Sequence, residues 1–277
     1  DFGIWMTAVA ITSMTMFLDL GIGNGLLTKL SLAFGKDDVK EMRALISSAY
    51  VSLIVVALAL FAVLALIVSV LSLSDPTLLG FGDSSGISIT AACLAAFIVG
   101  IPASIIHRIF YSCQMVWIGY AWQVAGAAAS VAACVIAVKL ELNSWQVVAA
   151  YSAPPVVAMF VATAAFFRGR PEIAPSLSGV EAEKVRTLLA LGSRFFVLSI
   201  VTSIALNADN VLIAQKLGPS AVTEYAVPAK LASILGLLVT TIFMPLWPAN
   251  GEAIARGDYD WVRISTLRMS LLGGLAV

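Results

Sequence analysis

Apolar stretches long enough to cross a bilayer follow one another along nearly the whole chain. They occupy residues 46–71, 87–110, 118–138, 147–167, 195–217 and 226–247, each near or above the roughly 20 residues that a spanning helix needs. Residues 4–24 qualify too, despite Asp19. Barrel strands alternate over about 10 residues, and these runs do not alternate, so the expected fold class is an all-α integral membrane protein. Composition agrees: the chain is 60% hydrophobic and 12% charged, with a mean hydropathy of +0.99, where a soluble domain is about 25% charged.

The chain opens on Asp1-Phe2-Gly3 without an initiator Met. It stops about 12 residues into a new apolar run, 266–277, which is too short to span. No charged region precedes Ile4, so the first stretch does not read as a cleaved signal peptide. The expectation is about seven complete spans and one truncated span, from a longer protein cut at both ends.

Charge placement sets an orientation. Lys29, Lys36, Lys40 and Arg43 lie between the first two spans; Arg168, Arg170, Lys184, Arg186 and Arg194 lie in the 168–194 region; Arg256, Arg263 and Arg268 follow the span ending near Trp247. The alternate links, 72–86, 139–144 and 216–225, hold only Lys139 and Lys216. By the positive-inside rule the basic links are cytoplasmic. Residue 1 then begins outside, and Arg108, beside His107 at the end of its span, falls on the inner side.

An internal repeat adds an architecture. Ala33, Gly35, Asp38, Leu45 and Ser48 recur as Ala255, Gly257, Asp260, Leu267 and Ser270 at one constant offset, and Leu20 and Asn24 match Leu246 and Asn250 at a slightly larger one. Each copy reads as a span running inward, a short loop around Gly-x-x-Asp, and a span running back. An even number of spans separates the copies, so they share an orientation, as in transporters with parallel halves.

The motifs resemble those of a known family. Phe2-Gly3-Ile4-Trp5, Asp19-Leu20-Gly21-Ile22-Gly23-Asn24 and Gly35-Lys36-Asp37-Asp38 look like the second helix of the polysaccharide flippases, the O-antigen and exopolysaccharide exporters of the multidrug/oligosaccharidyl-lipid/polysaccharide superfamily. Asn207-Ala208-Asp209-Asn210, Leu217-Gly218, Val222 and Tyr225 look like the seventh helix and its following turn, and Tyr111, Gln114 and Gly119 fit an inner loop less specifically. The resemblance implies two pseudo-symmetric six-helix lobes around a central cavity. Residues 1–167 would hold helices two to six of the first lobe, 168–188 a cytoplasmic link, and 189–277 helices seven, eight and part of nine.

Asp209 is the candidate most at odds with its surroundings. A carboxylate inside a bilayer costs about 2.5–3.5 kcal/mol on insertion scales and normally faces a wet cavity or a partner charge. With Ser199, Thr202, Ser203, Asn207 and Asn210 it falls within an arc of roughly 160° on a helical wheel. That arc fits a cavity face meeting sugar hydroxyls, or an interhelical hydrogen-bond seam. Lys230, one short turn inside the next span, reaches toward Asp209 or snorkels outward. Asp19 and Asn24, with Gly21, Gly23 and Gly25, fit a bend at a cytoplasmic gate or close packing by small residues. Pro245, Pro248 and Asn250 occupy the corresponding part of the repeat, where proline favours a kink. Arg108 and Arg194 suit the diphosphate of a lipid-linked sugar, or anchor the inner face on anionic headgroups.

No Walker sequence, Gly-rich phosphate loop or His/Cys cluster is present. Cys93, Cys113 and Cys134 lack metal-ligand spacing and read as small buried hydrophobes. The expectation is therefore a non-enzymatic transporter without cofactor, metal or nucleic acid, in a bacterial inner membrane. Its cargo by resemblance is a polyprenyl-diphosphate-linked oligosaccharide, and its partners are membrane lipids and polysaccharide polymerase machinery. Cation-coupled multidrug efflux on the same fold and a membrane-embedded glycosyltransferase or polymerase are the alternatives. The 72–86 loop, with only Asp75 and Asp83, gives the last little support.

Overall fold

The computed structural model describes residues 19–74, 84–217, 228, 236, 241 and 243–275; within its helices the side chains of 64, 67–74, 84–93, 203, 205–212, 214–217 and 275 are not described. The described helices are α1 (Ile22–Gly35), α2 (Val39–Ser74), α3 (Ser84–Ala103), α4 (Ile105–Ser112), α5 (Val116–Lys139), α6 (Ser144–Gly169), α7 (Ala182–Leu217), α8 (Leu246–Arg256) and α9 (Tyr259–Leu275). Five stretches of described residues are long and apolar enough to cross a membrane: Val39–Val63, Leu94–Ser112, Val116–Lys139, Ser144–Gly169 and Ala182–Thr202. The expected spans at 4–24 and 226–247 fall largely outside the described residues.

Helix ends follow one geometric rule. Asp37, Gln114, Glu141 and Gly257 take positive φ, at 53°, 59°, 52° and 77°, each two positions after the last residue of α1, α4 and α5 or one after that of α8. In each case the next N–H reaches back to a carbonyl five residues earlier: Asp38 to Ala33, Met115 to Phe110, Leu142 to Ala137, Asp258 to Ala253. This is the Schellman arrangement, which satisfies carbonyls that a helix end would otherwise leave bare. Two of the following helices start on a side-chain cap. Asp38 Oδ1 accepts from the Glu41 N–H at 2.9 Å, and Asp258 Oδ1 from the Trp261 N–H at 3.0 Å.

Proline inside a membrane helix frees a carbonyl that lipid cannot hydrate. In α6, Pro155 has no N–H for the Tyr151 carbonyl four residues back, and Ser130 of α5 donates its hydroxyl to that oxygen. Gly126 lets the two helices approach this closely, since a Cβ there would lie 3.1 Å from Pro155 Cα. In the 84–112 segment Pro102 precedes a break at Ser104, and the chain resumes as α4.

The core lies where α1, α2, α4 and α6 meet. Ile22, Leu26, Leu27 and Leu30 of α1 are fully buried against Leu45, Ile46 and Leu53 of α2 and Ile105, Ile106, Ile109 and Phe110 of α4. Phe110 meets Phe166 of α6 edge to face at 5.3 Å. On the far half of α2, and on α5 and α6, large apolar side chains such as Leu58, Leu66, Val124, Val131 and Val157 are exposed. The segment joining α6 to α7 makes two 3₁₀ turns, Pro171–Ile173 and Leu177–Gly179. It is tied to α2 by Ser47 and Ser48, whose hydroxyls accept the N–H groups of Ser176 and Glu181 at 3.1 and 3.2 Å. Lys184 adds an ion pair with Glu41 at 2.7 Å. The expected 168–188 link thus contains these turns and the first turns of α7.

Candidate functional site

The two copies of the repeat meet each other face to face. A Cβ on Gly251 of α8 would run into the Ser31 hydroxyl of α1, and one on Gly35 would lie 2.8 Å from Ala255 Cβ and from the Glu252 carbonyl oxygen. Both contacts pair a residue with the one 220 positions on (31 with 251, 35 with 255). The same offset superposes the following turns bond for bond: Asp38 N–H to Ala33 O becomes Asp258 N–H to Ala253 O, Val39 to Asp37 becomes Tyr259 to Gly257, and Met42 to Asp38 becomes Val262 to Asp258. Equivalent residues that touch must lie beside a pseudo-two-fold axis, as in an isologous interface. Helices α1 and α8 therefore run side by side in the same direction, with both basic turns at one end of the molecule.

This register differs by two residues from that of the sequence repeat, which matched Gly35 with Gly257. Structurally Gly257 corresponds to Asp37, because what the turn conserves is the left-handed position and not the glycine. Asn24 and Asn250 are accordingly not equivalent. Asn250 corresponds to Leu30, six positions beyond Asn24, or about 9 Å along a helix. The substitution leaves a polar trace: Leu30 and Leu45 are fully buried in the first copy, whereas their counterparts Asn250 and Ser265 carry buried oxygens, Oδ1 and Oγ, without hydrogen-bond partners. Asn250 Nδ2 sits 3.9 Å from Met269 Sδ.

At the start of α1 the chain makes a strained turn. Leu20 and Gly21 have φ of 51° and 71°, and a bulky residue at positive φ is a real outlier. Asp19 holds the turn by accepting the Gly21 N–H at Oδ1, 2.9 Å away, an Asx-type bond. Its other oxygen, Oδ2, lies 2.9 Å from where a Gly23 Cβ would stand, and Arg108 Nε of α4 lies 3.3 Å from the same point. Asp19 and Arg108 thus face each other across Gly23, with the Asp19 carboxylate acting on the Arg108 guanidinium. The opposite side of the turn presses on α7: a Cβ on Gly192 would stand 2.9 Å from Leu20 O, 3.0 Å from Ile22 N and 3.1 Å from Gly21 C, and one on Gly25 would be 3.2 Å from Leu188 O. Backbone meets backbone here. Phe195 of α7 packs at a tilt against Trp247 of α8 at 5.3 Å, so α1, α4, α7 and α8 meet around the start of α1.

Two half-buried opposite charges that face each other give a testable coupling. Removing one partner leaves the other charge facing a neutral group in a partly desolvated place, which costs stability, whereas neutralising both leaves no charge without its partner. Asp19→Asn and Arg108→Gln should each lower the thermal midpoint of the purified full-length protein, and the double variant should recover most of the loss. Additive losses would show that the two side chains act independently.

Sequence reading placed Asp19 and Arg108 in different roles, and the structure brings them together. Asn24 is half-buried, its carbonyl accepting from the Thr28 hydroxyl at 2.9 Å. Pro245 precedes α8 as its N-cap, after a turn at Met244, and Pro248 falls in the first turn, where a missing N–H costs no helix bond. Arg194 is exposed on α7, two residues past Gly192 and so on the far side of the helix. Asn207, Asp209 and Asn210 lie in α7, but their side chains are outside the described residues, as is the whole of Lys230. Cys113, between α4 and α5, is buried, and burial pushes its thiol up to about 11 although Arg170 pulls it down. The glycine contacts of α7 escaped sequence reading. Their signal was Gly192 alone in a run of larger residues.

The architecture has a known counterpart. The chain superposes on the crystal structure of a mutant of the Vibrio cholerae MATE transporter VcmN with a TM-score of 0.69, at 16% sequence identity, over 95% of this chain and 61% of that one. It thus spans about three-fifths of that protein's length. No curated protein matches it. The profile of one family, described as polysaccharide biosynthesis protein, matches residues 1–253. With its membrane helices arranged in the MATE-transporter fold and that match over nine-tenths of its length, the chain belongs to the polysaccharide biosynthesis protein family.

Proposed function

We propose that the intact protein is a transporter that moves a polyprenyl-diphosphate-linked oligosaccharide, an O-antigen or exopolysaccharide unit, from the cytoplasmic to the outer face of a bacterial inner membrane by alternating access. The observation that carries this reading is the seam at the basic end, where α1 of one half lies against α8 of the other about a pseudo-two-fold axis. Rocking two parallel halves about such an axis opens one end of a cavity as it closes the other. The basic turns mark the closed end as cytoplasmic by the positive-inside rule. The seam then keeps cytosol out while cargo leaves on the far side, and parting it admits the next lipid-linked sugar. The family, described by polysaccharide biosynthesis, supports this cargo over others, and the same cargo makes membrane lipids and a polysaccharide polymerase the natural partners.

Cation-coupled efflux of small drugs is the second reading, favoured by the MATE fold. One experiment separates them. Full-length protein in proteoliposomes should speed the appearance of a fluorescent undecaprenyl-diphosphate-linked sugar in the opposite leaflet, read by dithionite quenching, at least about tenfold over empty vesicles, a lowering of the barrier by about 1.4 kcal/mol. Gradient-driven ethidium transport without lipid translocation would establish efflux and overturn the flippase reading.

A further inference from the structure

His107 is the one histidine in the chain, and it is buried with neither ring nitrogen hydrogen-bonded. It sits on α4 next to Arg108, about 100° away around the helix, and lines a cavity of about 110 Å³ between α4, α5 and α6. Trp122, Pro155 and Met159 make the apolar walls, and Gln123 and Ala127, both exposed, stand at the mouth. The Gln123 amide nitrogen is already engaged, donating to the Tyr111 hydroxyl at 2.9 Å, which leaves its carbonyl oxygen for another donor.

A neutral imidazole offers one donor and one acceptor, and a buried polar atom without a partner costs about 1–3 kcal/mol. A protein that keeps both unpaired in a cavity is providing for a group that brings both. A hydroxyl does so, being donor and acceptor at once. A cation fits poorly: the walls are apolar and the positive Arg108 is adjacent. Its volume is below the roughly 150 Å³ that holds benzene, so the cavity takes one edge of a small ring, the rest lying at the open side by Gln123 and Ala127. An indole face, a thioether and a proline present the flat apolar surface on which the C–H face of a pyranose rests, while His107 and Gln123 meet its hydroxyls.

The geometry points to a side pocket in the first half that seats one sugar ring of the transported oligosaccharide, with His107 as its hydrogen-bonding base and Trp122 as its stacking wall. This assignment rests on the flippase reading and adds a specificity-determining site to it. The site adjoins the Asp19–Arg108 pair, so sugar recognition and the contact at the start of α1 use neighbouring faces of the same short helix α4.

The test uses full-length protein in nanodiscs and native mass spectrometry. The probes are undecaprenyl diphosphate and its conjugates with one glucose, galactose, rhamnose or N-acetylglucosamine. Wild type should bind at least one conjugate about tenfold more tightly than the bare lipid, the worth of one or two net hydrogen bonds. His107→Leu and Ala127→Trp, the second filling the pocket from its exposed rim without touching the core, should each remove that preference and leave bare-lipid binding unchanged. His107→Asn, which retains a donor and an acceptor, should keep part of it. If wild type binds bare lipid and conjugates equally, or Ala127→Trp keeps the preference, the pocket assignment fails while the lipid cargo stands. If neither bare lipid nor any conjugate binds, the flippase reading fails and the pocket goes with it.

Discussion

Replacing Gly192 with Val should stop export while leaving the protein in the membrane. Beside the start of α1 the Gly192 Cα faces the backbone of Leu20, Gly21 and Ile22, where a Cβ would stand 2.9–3.1 Å from three main-chain atoms. No rotamer relieves a clash that begins at Cβ, and the opposing atoms are themselves held in a left-handed turn by Asp19. Overpacking of this kind costs about 1–3 kcal/mol or more. The strain exists only while the two halves are pressed together, so it shifts the population toward the parted state by about 10- to 100-fold. The clash falls on the main chain of Leu20, Gly21 and Ile22, while the buried side chains of α2 and α4 are not among the atoms it meets, so the protein still folds. Export of the lipid-linked sugar should therefore fall by more than about tenfold, with membrane abundance within about twofold of wild type. Gly192→Ala should give a milder version of the same phenotype. If Gly192→Val exports normally, the contact between the Asp19–Gly21 turn and α7 is not part of the transport cycle.

What the sequence disclosed and what it hid have a common physical origin. The bilayer imposes length and apolarity on every span, and both are local properties, so the helices containing 46–71, 118–138 and 147–167 are legible as apolar runs. The parallel repeat is legible for the same reason, in its charges and turn residues. Its register is not, because the Schellman turn specifies a backbone conformation that Asp37 satisfies in one copy and Gly257 in the other. Matching glycine to glycine slides the alignment by two residues and pairs Asn24 with the wrong asparagine. Contacts between helices are harder still. Gly192 meets Gly21, and Arg108 meets Asp19, across long stretches of chain; the only local marks are an isolated glycine and two charges near one membrane face. Reading Asp19 and Arg108 as residues at the same depth would have suggested their pairing. The orphan nitrogens of His107 had no sequence signal, since burial without a partner is visible only once neighbouring helices are in place.

The closed end should be lockable by a single disulfide, and the register says where. A cross-link between Asn24 and Asn250 would have to bridge helix positions about 9 Å out of step, beyond the 4.4–6.8 Å between Cα atoms that a disulfide tolerates. Gly35 and Ala255 are a matched pair instead: with a Cβ on Gly35 the two Cβ atoms stand 2.8 Å apart, and a relaxation of about 1 Å brings them to the usual 3.5–4.5 Å of a disulfide. Cysteines at these two positions, in a full-length background without Cys93, Cys113 and Cys134, should cross-link rapidly when the basic end is closed. They should not cross-link when Gly192→Val is added, because that change holds the ends apart. Oxidation should block export of the lipid-linked sugar by more than about tenfold, and reduction should restore it, since one bond prevents the parting that admits cargo. The same oxidation of an Asn24/Asn250 cysteine pair should have little effect, which controls for general thiol damage. Efficient cross-linking at 24 and 250 but not at 35 and 255 would overturn the 220-residue register, and undiminished export by the oxidised 35/255 protein would show that the α1–α8 seam stays shut throughout the cycle.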